Sequence, residues 1–173
     1  MATDRAETLK QKNYWDELIK LRDEQRERQS SAVQVIRGDE LPVETNPLGQ
    51  VQWYLHPAIK DTALSTLMFY RQIIPPGGRT GRLKFQGGQA IYVLEGEGYT
   101  ILDGVRHTWA AGDTINLPLK KLGIIVQHFN TDKTKPAIFI AAEPNWFECV
   151  GVDRGSGFEL LEAAPSHNTG HKS

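Results

Sequence analysis

Hydrophobic and polar positions change rhythm once along this chain, near Gly38. Before that point, residues 4–29 contain no Gly or Pro, and Leu9, Trp15, Leu18, Ile19 and Arg22 fall roughly on one helical face. Asp4 and Glu7 have the spacing of a capping box, so the stretch is predicted to form one helix. Its first half carries an apolar stripe that can dock on a neighbour. Its second half, RDEQRERQ, is charged all round and reads as solvated. The expected role is a packing or dimer-contact arm, with a partner-recognition helix as the alternative.

After Gly38 the period shortens. Pro42, Pro47 and Gly49 mark a loop, and then short runs rich in β-branched and aromatic residues follow at close spacing. These are QVQWYL, LSTLMFYRQII, AIYVLE, GYTILD, VRHTW, DTINL, GIIVQHFN and AIFIAAE, separated by the turn signals PPGG, GEG, DG, AAGD and NTDKTKP. About eight strands without intervening helices predict a sandwich or small barrel. No internal repeat is visible, so one such unit is expected. The predicted organisation is an N-terminal helix and arm over 1–40, one β domain over 41–155, and a C-terminal tail over 156–173 with a disordered end.

The charges balance, with 20 Lys and Arg against 21 Asp and Glu, which argues against a dedicated nucleic-acid binder. Cys149 is the only cysteine, so no intrachain disulfide can form, and its apolar setting reads as a packed thiol. The N-terminal MATDRAETLK lacks the apolar core of a signal peptide, and no segment has the length and hydropathy of a membrane span. The expectation is a cytoplasmic protein.

The segment Gly77–Gly98, GGRTGRLKFQGGQAIYVLEGEG, carries the sharpest motif. Gly77 is followed by five residues, then Leu83-Lys84-Phe85, then Gln89 and Gly96. Further on, Gly104 precedes Ala110-Ala111-Gly112-Asp113 and Leu117-Pro118, and GIIVQHFNTD follows. This frame resembles the two motifs of the cupin superfamily over roughly residues 60–145. The resemblance implies an all-β, double-sheet jelly-roll barrel, here with an N-terminal helical arm, and a pairing of subunits into a homodimer. It also implies metal ligands at the positions of Leu83, Phe85, Gln89 and Val126. Residues i and i+2 of a strand share a face, which is how a His-x-His pair aims two imidazoles inward. Leu83, Phe85 and Val126 keep that geometry without lone pairs, and Gln89 offers only an amide oxygen. No metal and no cofactor is therefore expected, and the slots read as converted from coordination to packing.

Two outcomes of that conversion stay open. Either the interior has filled, leaving a scaffold, or its apolar walls enclose an organic ligand. The second is preferred because polar groups remain on the inward side. The expected lining is Leu83, Phe85, Gln89, Ile91, Val126, His128 and Asn130, with Arg71 as a carboxylate clamp if its face of the strand turns inward. Periodicity does not decide between Arg71 and the alternating pair Tyr70 and Gln72. The leading functional expectation is a non-metal cupin binding a small aromatic or unsaturated acid as a sensor, carrier or accessory subunit of a catabolic pathway. The alternatives are an enzyme (a metal-independent isomerase or lyase with His128 as its catalytic acid or base, or a dioxygenase-like protein with a rebuilt metal site) and a structural partner acting through the N-terminal helix. His107 and His56 read as surface or loop residues, and His167 and His171 lie in the tail.

Overall fold

A computed structural model describes residues 2–146, 148 and 149. Its backbone forms two compact units, one containing residues 2–30 and the other the described residues from 31 onward. The C-terminal tail lies outside the described residues.

The N-terminal segment forms two helices rather than one, α1 (Ala2–Lys10) and α2 (Tyr14–Ser31). Asn13 causes the break. Its side-chain oxygen accepts the backbone N–H of Trp15 at 3.1 Å, and its amide nitrogen donates to Asp16 at 2.6 Å, which is N-cap chemistry. Leu9, Trp15 and Leu21 are exposed. Among the described residues no helix is long and apolar enough to cross a membrane.

The second unit is all-β. Each of the eight strand-like runs forms a strand: β2 (Gly49–Leu55), β3 (Leu67–Ile74), β5 (Gln89–Glu95), β6 (Glu97–Leu102), β7 (Val105–Ala110), β8 (Thr114–Leu117), β9 (Ile124–Asn130) and β10 (Ala137–Pro144). Two three-residue strands join them, β1 (Glu44–Asn46) and β4 (Leu83–Phe85). All pairings between these strands are antiparallel. One sheet has the order β1-β2-β3-β10-β5-β8, the other β4-β9-β6-β7. Alternation assigns the faces: Ile124, Val126, His128 and Asn130 of β9 are buried, as are Gln89, Ile91 and Val93 of β5. The two inner faces share one core. Phe139 of β10, fully buried, meets Trp109 of β7 edge-on at 4.8 Å and His128 of β9 at 5.3 Å.

The expectation of a closed jelly-roll barrel is corrected here: the sheets stay open. Closure requires hydrogen bonding between the edges of the two sheets, namely β8 with β7 and β1 with β4. β7 and β8 are consecutive strands, yet they do not pair with each other. The corner between them is committed elsewhere. Ala111 N–H donates to Gly96, Gly112 N–H donates to Val93, and Val93 N–H donates to Asp113. Those bonds hold β7 to β6 and β8 to β5, so the two strands splay. At the other side β1 and β4 are stubs of three residues.

One glycine of the motif has a packing cause. A Cβ on Gly98 would meet the Phe129 carbonyl and lie 2.6 Å from the Trp109 ring. The second glycine of the GEG turn thus makes room for the indole that covers β6.

Candidate functional site

Between the sheets, several of the expected residues surround a small void of about 20 Å³. Leu83, Gln89, Val126 and His128 line it, joined by Tyr70, Gln72, Thr80, Gly81 and Leu48. The register explains the meeting. Leu83 stands directly across from Val126, and Val126 lies two residues from His128 on the same face of β9. A void of this size holds one water or one ligand oxygen. Leu83 is partly exposed and marks its mouth.

Two chains of polar side chains run into this interior. In the first, the Gln89 amide nitrogen donates to the Tyr70 hydroxyl oxygen at 2.8 Å and to the Glu143 carboxylate at 3.0 Å. Burial, and then the facing Glu143 charge, hold the Tyr70 hydroxyl well above its usual pKa. Burial also raises the Glu143 carboxyl, against the hydrogen bond from Gln89. Tyr70's own hydrogen finds no protein acceptor among the described residues.

In the second chain, Trp109 Nε1–H donates to Thr100 Oγ1 at 3.0 Å, and Thr100 Oγ1 lies 2.7 Å from His128 Nδ1. Thr100 is 1% exposed, so its hydroxyl hydrogen needs an acceptor inside the protein. His128 Nδ1 is the one within reach. The pattern that satisfies every hydrogen therefore runs Trp109 N–H to Thr100 oxygen, then Thr100 O–H to His128 Nδ1. This assigns His128 the tautomer protonated at Nε2. That N–H has no protein partner among the described residues, and the ring borders the void. Burial lowers the His128 pKa to about 4, so the imidazole is neutral near pH 7. The backbone is fixed as well: His128 N–H donates to Thr80 Oγ1 at 3.0 Å, and Thr80 N–H donates to the His128 carbonyl at 3.0 Å.

The donor set does not fit a transition metal. Leu83, Phe85 and Val126 supply no lone pair. Gln89 offers only an amide oxygen, and His128 Nδ1 is occupied by Thr100. Among the described residues no three of His, Cys, Asp and Glu come together in a way that could hold an ion.

The other sequence candidates lie elsewhere. Phe85 packs against the core, and Ile91 is part of it. Asn130 is buried but serves as a staple: its amide nitrogen donates to the carbonyls of Ile74, Pro75 and Lys135. Tyr70 and Gln72 are the residues of β3 that face the void, which puts Arg71 on the opposite face. His56 packs edge-on against Trp53 at 4.8 Å, away from the void. Cys149, expected as a packed thiol, is exposed. His167 and His171 lie outside the described residues. The sequence pattern did not single out Thr100, Trp109, Glu143 or Thr80. Thr100 and Trp109 become visible only through register, since β6 lies between β7 and β9.

No protein-family model and no curated protein matches the chain. Solved structures do. A polyketide cyclase, RemF, from Streptomyces resistomycificus aligns with a TM-score of 0.54 at 16% identity, over 65% of this chain and 79% of that one. A Cupin 2 conserved barrel domain protein from Salinispora arenicola gives 0.51 at 16%, over 66% and 92%. An RmlC-like cupin from Shewanella frigidimarina gives 0.50 at 18%, over 65% and 91%. At these identities the likeness is one of fold.

Proposed function

We propose that this chain, a small cupin-fold domain without an intact metal-binding cluster, binds a neutral organic molecule that places one carbonyl or hydroxyl oxygen between Tyr70, Gln89 and His128. One observation carries the reading: two donors without a protein acceptor among the described residues, Tyr70 O–H and His128 Nε2–H, border a void of about 20 Å³. An acceptor oxygen satisfies both. The body of the ligand stays at the mouth, over Leu48, Gly81 and Leu83.

The charge pattern favours a neutral head over an acid. No Lys or Arg lines the void, and Glu143 stands behind Gln89. A carboxylate there would be buried without a counter-ion, which is costly. Arg71, the residue that would have clamped an acid, is on the other face of β3. A role as sensor or carrier suits the site better than catalysis. A neutral imidazole with a pKa of about 4 is a weak general base near pH 7.

The test is a matched pair of probes, acetophenone and benzoate, titrated against the protein while the His128 ring signals are followed by NMR. Acetophenone is expected to shift them saturably, and Tyr70→Phe to weaken its binding up to tenfold, the worth of about one hydrogen bond. Equal binding of benzoate would overturn the neutral head, and no saturable shift with either probe would show that the interior is simply packed.

A further inference from the structure

The corner that keeps the sheets apart leaves a cleft between β7 and β8, with a volume of about 290 Å³. It is distinct from the interior void. Its walls are consecutive residues, His107–Trp109 on β7 and Thr114–Leu117 on β8, with Asp113 at the corner and Thr100 and Leu102 behind them. Consecutive residues line a cavity only when it looks onto the edge of a strand rather than onto one face. Each of these strands pairs on one side alone, β7 with β6 and β8 with β5. The cleft is thus bordered by main-chain edges in addition to side chains.

The side chains narrow the ligand class. Thr108, Thr114 and Asn116 are exposed, and each both donates and accepts hydrogen bonds. No Lys or Arg lines the cleft, and its one carboxylate, Asp113, accepts the Ala110 N–H at 2.8 Å within the corner. An anion finds no permanently charged cation there. Trp109, Ile115 and Leu117 add apolar surface for C–H groups. Small-molecule pockets run from roughly 300 Å³ upward, so the cleft suits something of monosaccharide size.

We propose that this seam is a second binding site, for a neutral polyhydroxylated molecule of about that size. An extended peptide is the other ligand that an open strand edge can accept. Because β7 and β8 splay from one corner, an added strand would follow only one of them, whereas a compact polyol reaches both. Occupancy is also sensed in the interior, because Trp109 and Thr100 line the cleft and form the chain that ends on His128.

The test uses the full chain, titrated separately with methyl glucoside and with an end-blocked pentapeptide of alternating valine and threonine, followed by amide and indole NMR. Methyl glucoside is expected to shift the His107 and Asn116 amides and the Trp109 indole N–H saturably. Asn116→Ala and Thr108→Val, both at exposed positions, are expected to weaken it about tenfold each with unchanged thermal midpoints. The proposal is overturned if methyl glucoside causes no saturable shift, if both variants bind it as well as the parent, or if the peptide binds and the sugar does not.

Discussion

Phe139→Ala is expected to lower the unfolding free energy by about 3–5 kcal/mol, the usual cost of truncating a buried aromatic side chain. Phe139 is fully buried in β10, which lies inside the six-stranded sheet between β3 and β5. Its ring is where the two sheets meet, touching Trp109 and His128 edge-on. The same change should let water approach the imidazole and move the His128 pKa from about 4 back toward 6.5. Urea unfolding measures the first effect and ring NMR the second. A loss below about 1 kcal/mol with an unmoved His128 would mean that the sheets do not pack through this ring.

Acid should destabilise the fold well before its surface carboxylates protonate. An unperturbed histidine titrates at 6.5, whereas folded His128 titrates at about 4 because burial penalises the charged ring. Between those values the unfolded chain binds more protons than the folded one, so stability falls as pH falls. The full loss, reached below pH 4, is about 3 kcal/mol at 1.36 kcal/mol per pKa unit. Glu143 works in the opposite direction. Its raised pKa means that the fold takes up that proton more readily than the unfolded chain, which offsets part of the loss. Asp103 is held down by Lys120 and Asp132 by Thr134; the stability this gives is present above the ordinary 3.8 and is lost only below it. Urea unfolding between pH 7.5 and 4.5 should show a fall that His128→Gln flattens. Parallel profiles for the parent and the variant would rule out a buried neutral His128.

The strands were legible because they are rich in β-branched and aromatic residues, alternate clearly in β5 and β9, and are separated by Gly, Pro or Asp-Gly signals. Asp103 and Gly104, both at positive φ, make the turn between β6 and β7 that the Asp-Gly pair announces. β1 and β4 are too short to carry a period. The helix break at Asn13 was written in Asn13 and Asp16 but hidden by the longer apolar stripe. Closure was not legible, because edge pairing between sheets is non-local, and the corner bonds to Val93 and Gly96 that prevent it appear only in three dimensions. At the site, Leu83 stands across from Val126 in the register of β4 and β9. The sequence was silent on Arg71 because both faces of β3 are covered. Across from Arg71, Gln52 is buried and donates to the carbonyls of Gly38 and Leu41, so the outer face has its own lid of chain. Thr100 looked like an ordinary strand threonine because its partners arrive from both neighbouring strands.

The inner face of β9 holds a neutral histidine, His128, fixed by Thr100. Ring-nitrogen NMR of His128, recorded across pH and with added nickel(II), tests it most directly. The expected spectrum is that of the tautomer protonated at Nε2, with a midpoint near pH 4 and no change on adding nickel. A midpoint at or above 6.5, the opposite tautomer, or a nickel-induced shift at His128 would contradict it.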